Sequence, residues 1–298
     1  MAISTALIFA GQGAQHPGMG QALYESSAGA RRLYDDADRI LGWSISKLCF
    51  EGPQEELTAC AHCQPAIYVT SMAQWAARQE AVDAAEESVA ICGGLSLGEL
   101  AALTAAGAFD FETGLRAVAR RGQLMDEACR RHPGGMTAVI GAEPAAVAEA
   151  AARHGIDVAN YNCPGQMIIS GEKEKVAACA AELAPAALKT VPLEVAGAYH
   201  SRLMNEAALA FGDFLQGVAI ASPALPVVHN VTGTLSEGTP EAIRAHLSAQ
   251  VCSPVRWEEC VRTMLPRCAQ FRELGPGKVL AGLVHRTDRT AKILNDGI

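Results

Sequence analysis

The feature that most constrains this chain is a serine held between glycines where an apolar run gives way to a helical pattern. The apolar run Val89-Ala90-Ile91-Cys92 leads into Gly94-Leu95-Ser96-Leu97-Gly98-Glu99, and good helix formers continue to Ala106. This order predicts a buried strand that turns sharply into a helix at Ser96. Glycines on both sides permit the strained turn, which lifts the Ser96 hydroxyl out of the sheet. We therefore interpret Ser96 as a nucleophile.

That interpretation requires partners elsewhere in the chain, because a serine hydroxyl alone is a weak nucleophile near neutral pH. Chemistry at Ser96 needs a base within hydrogen-bond reach and N–H donors that stabilise an oxyanion. The bare Gly-x-Ser-x-Gly pattern also arises by chance in a chain with 28 glycines. The strand before it and the helix after it favour catalysis over chance.

Length and composition favour one large α/β domain or two unequal lobes. The chain has 298 residues, enough to bury a substantial core, and only 5% of them are aromatic. Few aromatic residues together with abundant alanine favour close-packed helices over an aromatic-rich sandwich or barrel. The formal net charge of -8 argues against a general affinity for nucleic acid.

The N-terminal segment predicts a first strand and no targeting signal. Residues 1–9 lack a basic region, and their apolar run breaks at Gly11-Gln12-Gly13. The sequence has no uninterrupted run of about 18 apolar residues, the length that a membrane span needs. We therefore expect a cytoplasmic protein with no membrane partner.

The ten cysteines predict reduced, buried thiols, since several lie in apolar stretches. Cys60-Ala61-His62-Cys63 resembles a metal or redox motif, but no second ligand pair stands at zinc spacing. We expect no metal site there. We predict that these residues form a helix end before Gln64-Pro65-Ala66.

Strand, turn and helix patterns alternate along the first part of the chain, as in an α/β fold. The predicted elements are a strand over 6–9, a glycine-rich turn over 10–15, and helices over 21–41, 66–79 and 100–106. A further helix, capped by Thr113, is predicted to run to about Arg131. The glycine-rich turn lacks the lysine of a P-loop and the third glycine of a dinucleotide fingerprint, so nucleotide binding is not indicated.

The middle of the chain changes to short units in the order strand, helix, strand, strand, helix, strand. They cover residues 136–140, 144–154, 158–162, 166–170, 172–184 and 189–193. This order predicts a ferredoxin-like sheet with two helices on one face. Later elements are helices over 203–216, 240–250 and 257–265 and strands over 226–228 and 270–274. We therefore predict a large lobe over residues 1–131 and 197–298, with a small lobe inserted over 132–196.

Six segments occur in one order and together resemble a known enzyme family. They are Gly11–Gln15, Gly94–Glu99, Arg121-Gly122, Ala198–Ser201, Gln250 with Ser253–Trp257, and Glu273–Gly277. Nearly end to end, the chain resembles the malonyl-CoA:acyl carrier protein transacylases and the acyltransferase domains of polyketide synthases. The resemblance implies an α/β-hydrolase-like large lobe with a parallel sheet and an inserted ferredoxin-like small lobe. It also implies ping-pong transfer of a malonyl group from coenzyme A through a Ser96 ester to the phosphopantetheine thiol of an acyl carrier protein, with no metal or redox cofactor.

The resemblance assigns the catalytic groups. It places His200 opposite Ser96 as the base, and His200 alone of the eight histidines lies in a matching segment. It assigns the backbone N–H groups of Gln12 and Leu97 to the oxyanion. In this family main-chain carbonyl groups near Gln250 orient the histidine, so Gln250 is carried over as an orienting residue. Without the resemblance, Gln250 is a typical polar residue of a helix C-terminus.

Arg121 is assigned to the substrate, because a planar guanidinium holds a carboxylate with two charge-assisted hydrogen bonds. This assignment predicts a dicarboxylic acyl donor. Helical spacing puts Leu124 and Met125 on the same side of the helix, but spacing alone does not separate Arg121 from Arg120 or Arg116. The Arg-Gly pair followed by Met125 selects Arg121 through the family match.

Four further positions are candidates for contact with the substrate. Asn160 and Asn162 match a family segment, although turn chemistry around Pro164-Gly165 explains them equally well. Leu95 stands where the family usually has histidine, so the choice of acyl group or the rate of adventitious hydrolysis can differ here while catalysis survives. Tyr199 replaces a phenylalanine that is common in malonyl-type members, and its bulk opposes a branched methylmalonyl group.

Other functions stay open at this level. A thioester hydrolase acting on acyl carrier proteins would use the same Ser96 and His200 with water as acceptor, and the acyl group could differ from malonyl. Arg121 argues against the hydrolase, because such relatives generally handle monocarboxylic chains. The three residues also disfavour a non-catalytic docking subunit. Carrier proteins are acidic, so a basic docking patch is expected; the candidates are Arg202, Arg286, Arg289 and Lys292.

Overall fold

Two sheets of four strands each organise the protein, and the computed structural model describes residues 2–81 and 87–295. The parallel sheet contains β1 (Ile3–Phe9), β2 (Glu87–Gly94), β7 (Gln270–Leu274) and β8 (Ile293–Asn295), in the order β2-β1-β7-β8. The antiparallel sheet contains β3 (Gly134–Ile140), β4 (Asp157–Cys163), β5 (Gln166–Glu172) and β6 (Lys189–Pro192), in the order β4-β5-β3-β6. This mixture confirms the predicted α/β class.

Thirteen α-helices lie in the described part of the chain. They are α1 (Gln21–Ser26), α2 (Ala28–Leu41), α3 (Ile45–Glu51), α4 (Gln54–Thr58), α5 (Cys60–Ala81), α6 (Gly98–Ala105), α7 (Phe111–Arg131), α8 (Pro144–Arg153), α9 (Lys173–Leu183), α10 (Asn205–Gln216), α11 (Pro240–Gln250), α12 (Trp257–Met264) and α13 (Val279–Thr287). Short 3-10 turns cover Arg202–Met204 and Leu265–Arg267. Within residues 2–81 and 87–295, no helix has both the length and the apolar character needed to cross a membrane.

The parallel sheet sets the position of the candidate nucleophile. Its central strand β1 is buried from Thr5 to Phe9, as expected for a strand covered on both faces. Phe9 pairs with Gly94 of β2 and with Leu274 of β7, so the three strands end at the same edge. Because loops at the carboxyl edge of a parallel sheet converge, the turn after β1 and the corner at Ser96 are neighbours.

The helix α5 is longer than the sequence predicts. The expected helix end before Pro65 is wrong, because α5 runs unbroken from Cys60 to Ala81 with Pro65 inside it. A proline near the start of a helix removes one hydrogen bond without ending the helix when packing holds the backbone on both sides. Such packing is present here: a Cβ on Gly122 of α7 would lie 2.7 Å from the carbonyl oxygen of Cys60, so the two helix backbones are in close contact.

The antiparallel sheet has the predicted strand-helix-strand-strand-helix-strand order. Its two helices, α8 and α9, pack together over a cluster that includes Val147, Ile169 and Cys179. The sheet is joined to the rest of the protein at β4, where the Tyr161 amide donates to the Val255 carbonyl at 2.9 Å. We propose that this unit is the small lobe of residues 132–196. The outer limits of the large lobe, residues 1 and 298, lie outside the described residues.

Two local predictions are wrong. The expected strand over 226–228 is reduced to isolated bridges, one pairing Val227 with Cys92 and one pairing Val228 with Leu235. Pro226 has no N–H to donate, so a regular ladder cannot extend through it. Thr113 does not cap α7; the side chain of Asp110 accepts a hydrogen bond from the Thr113 amide at 2.7 Å and is the cap.

Close packing between the sheet and α6 generates a prediction for stability. A Cβ on Gly98 would overlap the carbonyl group of Phe9, whereas a Cβ on Gly135 would meet Lys173 Cγ at an ordinary 3.7 Å. We expect Gly98→Ala to lower the free energy of unfolding by about 1–3 kcal/mol, because the helix must move away from β1. Gly135→Ala is the matched control and should be neutral or slightly stabilising. Urea unfolding measures both, and equal stability of the two variants would contradict the packing argument.

Candidate active site

Ser96 occupies a strained corner between β2 and α6. Its φ of 53° lies in the left-handed region, which a non-glycine residue adopts only where the surroundings enforce it. Asn230 holds this corner: its Oδ1 accepts from the Ser96 amide at 2.6 Å, and its Nδ2 donates to the Gly94 carbonyl at 2.8 Å. The predicted elbow is therefore present, and one side chain from a distant loop locks both of its sides.

His200 lies directly opposite Ser96. Its Nε2 is 2.7 Å from Ser96 Oγ, and its Nδ1 is 2.8 Å from the backbone carbonyl oxygen of Gln250. The carbonyl accepts only, so Nδ1 carries the proton and Nε2 is left to accept from the serine hydroxyl. Burial, followed by the nearby charge of Arg121, lowers the pKa of His200 to about 4. At neutral pH the imidazole is therefore a neutral base.

Arg121 brings a buried cation to the same point. Its guanidinium donates to the side-chain oxygens of Gln64 and Gln250, each at 2.8 Å, and to Ser96 Oγ at 3.0 Å. Its Nε has no hydrogen-bond partner among the described residues. Burial lowers the pKa of Arg121 to about 10, so the side chain stays charged at neutral pH. The structure thus places a positive charge, hydrogen-bonded in the described part of the chain only to neutral oxygens, in contact with the serine hydroxyl.

Of the three arginines that helical spacing left open, only Arg121 contacts Ser96. Arg116 lies at the surface and donates to Glu112 at 2.7 Å, and Arg120 is half-buried. Gln64, which the sequence analysis did not single out, positions Arg121 from helix α5. The only sequence signal for it was an amide beside Pro65 in an apolar helix.

The residues predicted for the oxyanion lie at the carboxyl edge of the parallel sheet. Gln12 follows β1, and Leu97 is the N-cap residue of α6. Their two segments are in close contact, since a Cβ on Gly11 would lie 2.7 Å from the Leu95 carbonyl oxygen. The Gln12 side chain donates to the Tyr199 hydroxyl at 3.5 Å, so it bridges the cleft next to His200.

A cleft of about 460 Å³ opens over these groups, between the parallel-sheet unit and the antiparallel sheet. Its lining includes eight of the residues singled out from the sequence: Gln12, Leu95, Ser96, Met125, Asn160, Asn162, Tyr199 and His200. The opposite wall comes mainly from the small lobe, where apolar residues such as Met136 and Ile168 stand beside the polar Asn160 and Asn162. A larger groove of about 750 Å³ between α10 and α11 contains none of these eight residues.

Three of the cleft residues have informative surroundings. Met125 is buried, and its Sδ accepts from Gln64 Nε2 at 3.3 Å, which places it beside the partner of Arg121. Asn162 Oδ1 is buried and has no hydrogen-bond partner among the described residues. Leu95 is half-buried and packs against the apolar cluster around Trp257. The cleft therefore combines apolar side chains with one unpaired amide oxygen.

Gln250 connects the base to the cation. Its backbone oxygen contacts His200, its side-chain oxygen accepts from Arg121, and its Nε2 donates to the Ser96 carbonyl at 3.0 Å and to Glu99 Oε2 at 2.6 Å. The sequence analysis assigned Gln250 an orienting role but missed Glu99. A carboxylate within the apolar helix α6 was the available signal.

Glu99 is itself fully buried. His229 Nδ1 lies 2.5 Å from Glu99 Oε1, and the Asn230 amide donates to Glu99 Oε2 at 3.0 Å. Burial alone raises the pKa of Glu99, but the charge and hydrogen bond of His229, together with its other donors, outweigh burial and hold that pKa below its ordinary value. Glu99 is therefore an anion at neutral pH.

The cysteine motif and the predicted basic patch lie around the site, and neither contacts Ser96 or His200 directly in the described structure. Cys60 lies buried at the start of α5 and accepts from Gln64 Nε2 at 3.0 Å, while the His62 ring is near the Glu56 carbonyl. Among the described residues, no group of three or more histidine, cysteine or acidic side chains is arranged to hold a metal ion. Arg286 is exposed at the rim of the cleft and donates to Gln166 Oε1, whereas Arg202 is paired with Asp157 at 2.7 Å.

Comparison with known proteins agrees with the family resemblance of the sequence. The acyl transferase domain family matches residues 6–293. This chain belongs to that family. The polyketide biosynthesis malonyl CoA-acyl carrier protein transacylase PksC of Bacillus subtilis is 38% identical over 293 residues, which cover 96% of this chain and 98% of the relative. The malonyl CoA-acyl carrier protein transacylase of the same organism is 39% identical over 297 residues, covering 97% and 92%.

Solved structures agree with the sequence relatives. The acyl-carrier-protein-S-malonyltransferase from Bartonella henselae aligns with a TM-score of 0.94 at 34% identity, over 100% of this chain and 96% of that chain. The acyltransferase therefore has the fold that the resemblance implied, with a parallel sheet and a separate antiparallel sheet.

The buried histidine generates a prediction for stability against pH. The pKa of His200 is about 4 in the folded protein against 6.5 in the unfolded chain, so between these values the unfolded chain binds a proton that the folded protein does not. The free energy of unfolding therefore decreases as pH falls from 7 to 4.5, and His200 contributes about 2–3 kcal/mol to that decrease. We expect the drop, measured by urea unfolding, to be smaller by that amount in His200→Gln. Equal drops in the variant and the wild type would contradict the prediction.

Proposed function

We propose that this acyltransferase moves a malonyl group from coenzyme A to the phosphopantetheine thiol of an acyl carrier protein, through an ester on Ser96. The observation that carries the proposal is the contact of Arg121 and His200 with the same atom, Ser96 Oγ, at 3.0 and 2.7 Å. Ser96 Oγ thus contacts both a base, His200, and a cationic side chain able to bind a carboxylate, Arg121. The malonyl transferase activity named for the 38–39% identical relatives supports the same substrate.

The first half-reaction loads the serine. Ser96 Oγ attacks the thioester carbonyl carbon while its proton moves to His200 Nε2, and an Oγ–C bond forms. The charge on the carbonyl oxygen is stabilised by the backbone N–H groups of Gln12 and Leu97. When the C–S bond breaks, His200 returns the proton to the sulfur of coenzyme A. The Gln250 carbonyl keeps the imidazole oriented throughout, because it accepts from Nδ1.

The second half-reaction reverses these steps with a different thiol. The phosphopantetheine sulfur attacks the ester carbonyl as its proton moves to His200, the new C–S bond forms, and the Oγ–C bond breaks. Ser96 Oγ then recovers its proton from His200. These steps use only groups of the chain, the thioester of the donor and the thiol of the acceptor, so the proposal invokes no metal or redox cofactor.

Arg121 gives the proposal its substrate class. In the described structure its guanidinium is held by two amide oxygens and the serine hydroxyl, with no carboxylate in direct hydrogen-bond contact. A malonyl carboxylate supplies the missing anion, and the short distance to Ser96 suits a three-carbon diacid. Tyr199 and Met125 line the same cleft, where we propose that they leave little room for a branch.

The carrier protein is the proposed second partner. Arg286 and Val279 of α13 are exposed and line the rim of the cleft, so an acidic carrier docked there would direct its phosphopantetheine arm toward Ser96. We propose that Asn162, whose Oδ1 lacks a partner among the described residues, accepts from an amide of that arm.

Loading of Ser96 tests the proposed function. After incubation with malonyl-CoA, intact-protein mass spectrometry should show one malonyl adduct on the wild type and none on Ser96→Ala. Adding a phosphopantetheinylated acyl carrier protein should remove the adduct and produce malonyl carrier protein. A wild type that never gains the adduct would contradict the proposal. Release of free malonate without a malonyl carrier protein would instead identify a hydrolase.

Arg121 is tested by the choice between two acyl donors. Arg121→Ala should reduce the ratio of kcat/KM for malonyl-CoA over acetyl-CoA by roughly 100-fold, because two charge-assisted hydrogen bonds to the carboxylate are lost. The matched control is Arg120→Ala, which removes the neighbouring half-buried arginine and should leave the ratio unchanged. An unchanged ratio in Arg121→Ala would refute the assigned substrate class.

A further inference from the structure

Glu99 is a buried anion that the proposed chemistry does not use. Its side chain has no exposed surface, and it points away from the cleft toward His229 and Gln250. Three donors meet its two oxygens: His229 Nδ1, the Asn230 amide and Gln250 Nε2, at 2.5, 3.0 and 2.6 Å. A carboxylate accepts at both oxygens. All three donors therefore have an acceptor only while both terminal atoms of residue 99 are acceptors.

The consequence falls on the side-chain amide of Gln250. An amide has one oxygen and one NH2 group, and its two orientations differ by a half-turn. The acceptors Glu99 Oε2 and the Ser96 carbonyl both lie beside Nε2, which forces the opposite end, Oε1, toward Arg121. The reversed amide would place NH2 hydrogens against a guanidinium that can only donate.

We propose that Glu99 is a positioning residue for substrate selection, which fixes the Gln250 amide and thereby aims Arg121 at the acyl group. The proposal rests on the proposed function, because it concerns the carboxylate of the malonyl group. The Nη2 atom of Arg121 donates both to Ser96 Oγ and to Gln250 Oε1. The orientation of the Gln250 amide therefore controls where the guanidinium lies. Glu99 also balances the buried charge of Arg121 through this bridge without entering the cleft.

The variant Glu99→Gln separates acceptor chemistry from packing, since it is nearly isosteric. Its side chain has only one acceptor oxygen, so at least one of the three donors meets an NH2 group. In one orientation of the new amide its NH2 group faces Gln250 Nε2, and in the other a neutral oxygen replaces the charged acceptor there. In both cases the hold on the Gln250 amide, and on its contact with Arg121, weakens. We expect the kcat/KM ratio of malonyl-CoA over acetyl-CoA to fall by about 10- to 100-fold, mainly through a higher KM for malonyl-CoA. Acetyl loading should change much less, because the Gln250 backbone carbonyl still orients His200.

The matched control is Glu273→Gln. Glu273 is also a buried carboxylate, and it accepts from the amides of Leu280 and Ala281 at 2.9 and 2.8 Å, but it does not touch Arg121 or Gln250. A general loss of stability would affect both variants, whereas a change in the malonyl-to-acetyl ratio is expected only for Glu99→Gln.

A double variant tests whether Glu99 acts through Arg121. In an Arg121→Ala background, Glu99→Gln should not change the ratio further, because the cation that it aims is absent. If Glu99→Gln does not fold, Gln250→Met removes the bridge instead and should reduce the ratio similarly. Retention of the wild-type ratio in a folded Glu99→Gln or Gln250→Met protein would overturn the inference. If only Arg121→Ala lowers the malonyl-to-acetyl ratio, the proposed function stands and the role of Glu99 does not. A wild type that loads no malonyl group would contradict both the proposed function and the role of Glu99.

Discussion

The left-handed backbone at Ser96 is the constraint on which the site depends. A residue with a Cβ stays at a φ of 53° only when neighbouring groups hold it, and here Asn230 binds the backbone on both sides of the corner. The glycines at 94 and 98 let β2, α6 and β1 approach closely enough to form that corner. His200 has a φ of 54°, so both partners of the central hydrogen bond sit on strained backbone. Strain at both residues fixes their geometry before any substrate arrives.

Burial and hydrogen bonding together determine the charges around this corner. Burial makes His200 a neutral base, and it lowers the pKa of Arg121 only to about 10, so that side chain stays cationic. At Glu99 the charge and hydrogen bond of His229, with the other donors, outweigh burial and keep an anion on the far side of Gln250. Arg121 and Glu99 are both out of solvent, but Arg121 contacts Ser96 Oγ and Glu99 contacts His229. A positive charge therefore lies against Ser96 Oγ, while the compensating negative charge stays on the far side of the Gln250 amide.

Local patterns predicted the elements whose residues decide their own structure. The strand-helix-strand-strand-helix-strand order of the small lobe was predicted because each unit has clear periodicity, and Pro240–Gln250 was predicted as α11 by its proline start. The short elements α3, α4 and β8 were missed, since a few residues carry little periodicity, and the nine-residue helix α13 was missed as well. Pro65 misled because helix propensity treats a proline as a stop, while the packing of α5 on α7 overrides it.

The sequence by itself determined the chemical types at the site: a serine in an elbow, and a histidine and an arginine in segments that match the family. These follow from local motifs and from resemblance, because the relevant residues are contiguous or occur in a recognisable order. The family match had already selected Arg121 among three arginines, and only the tertiary structure decided that Gln64, Glu99 and Asn230 hold the arrangement. Those contacts join segments far apart in the chain, and hydrogen-bond direction is a property of three-dimensional neighbours that no local pattern contains.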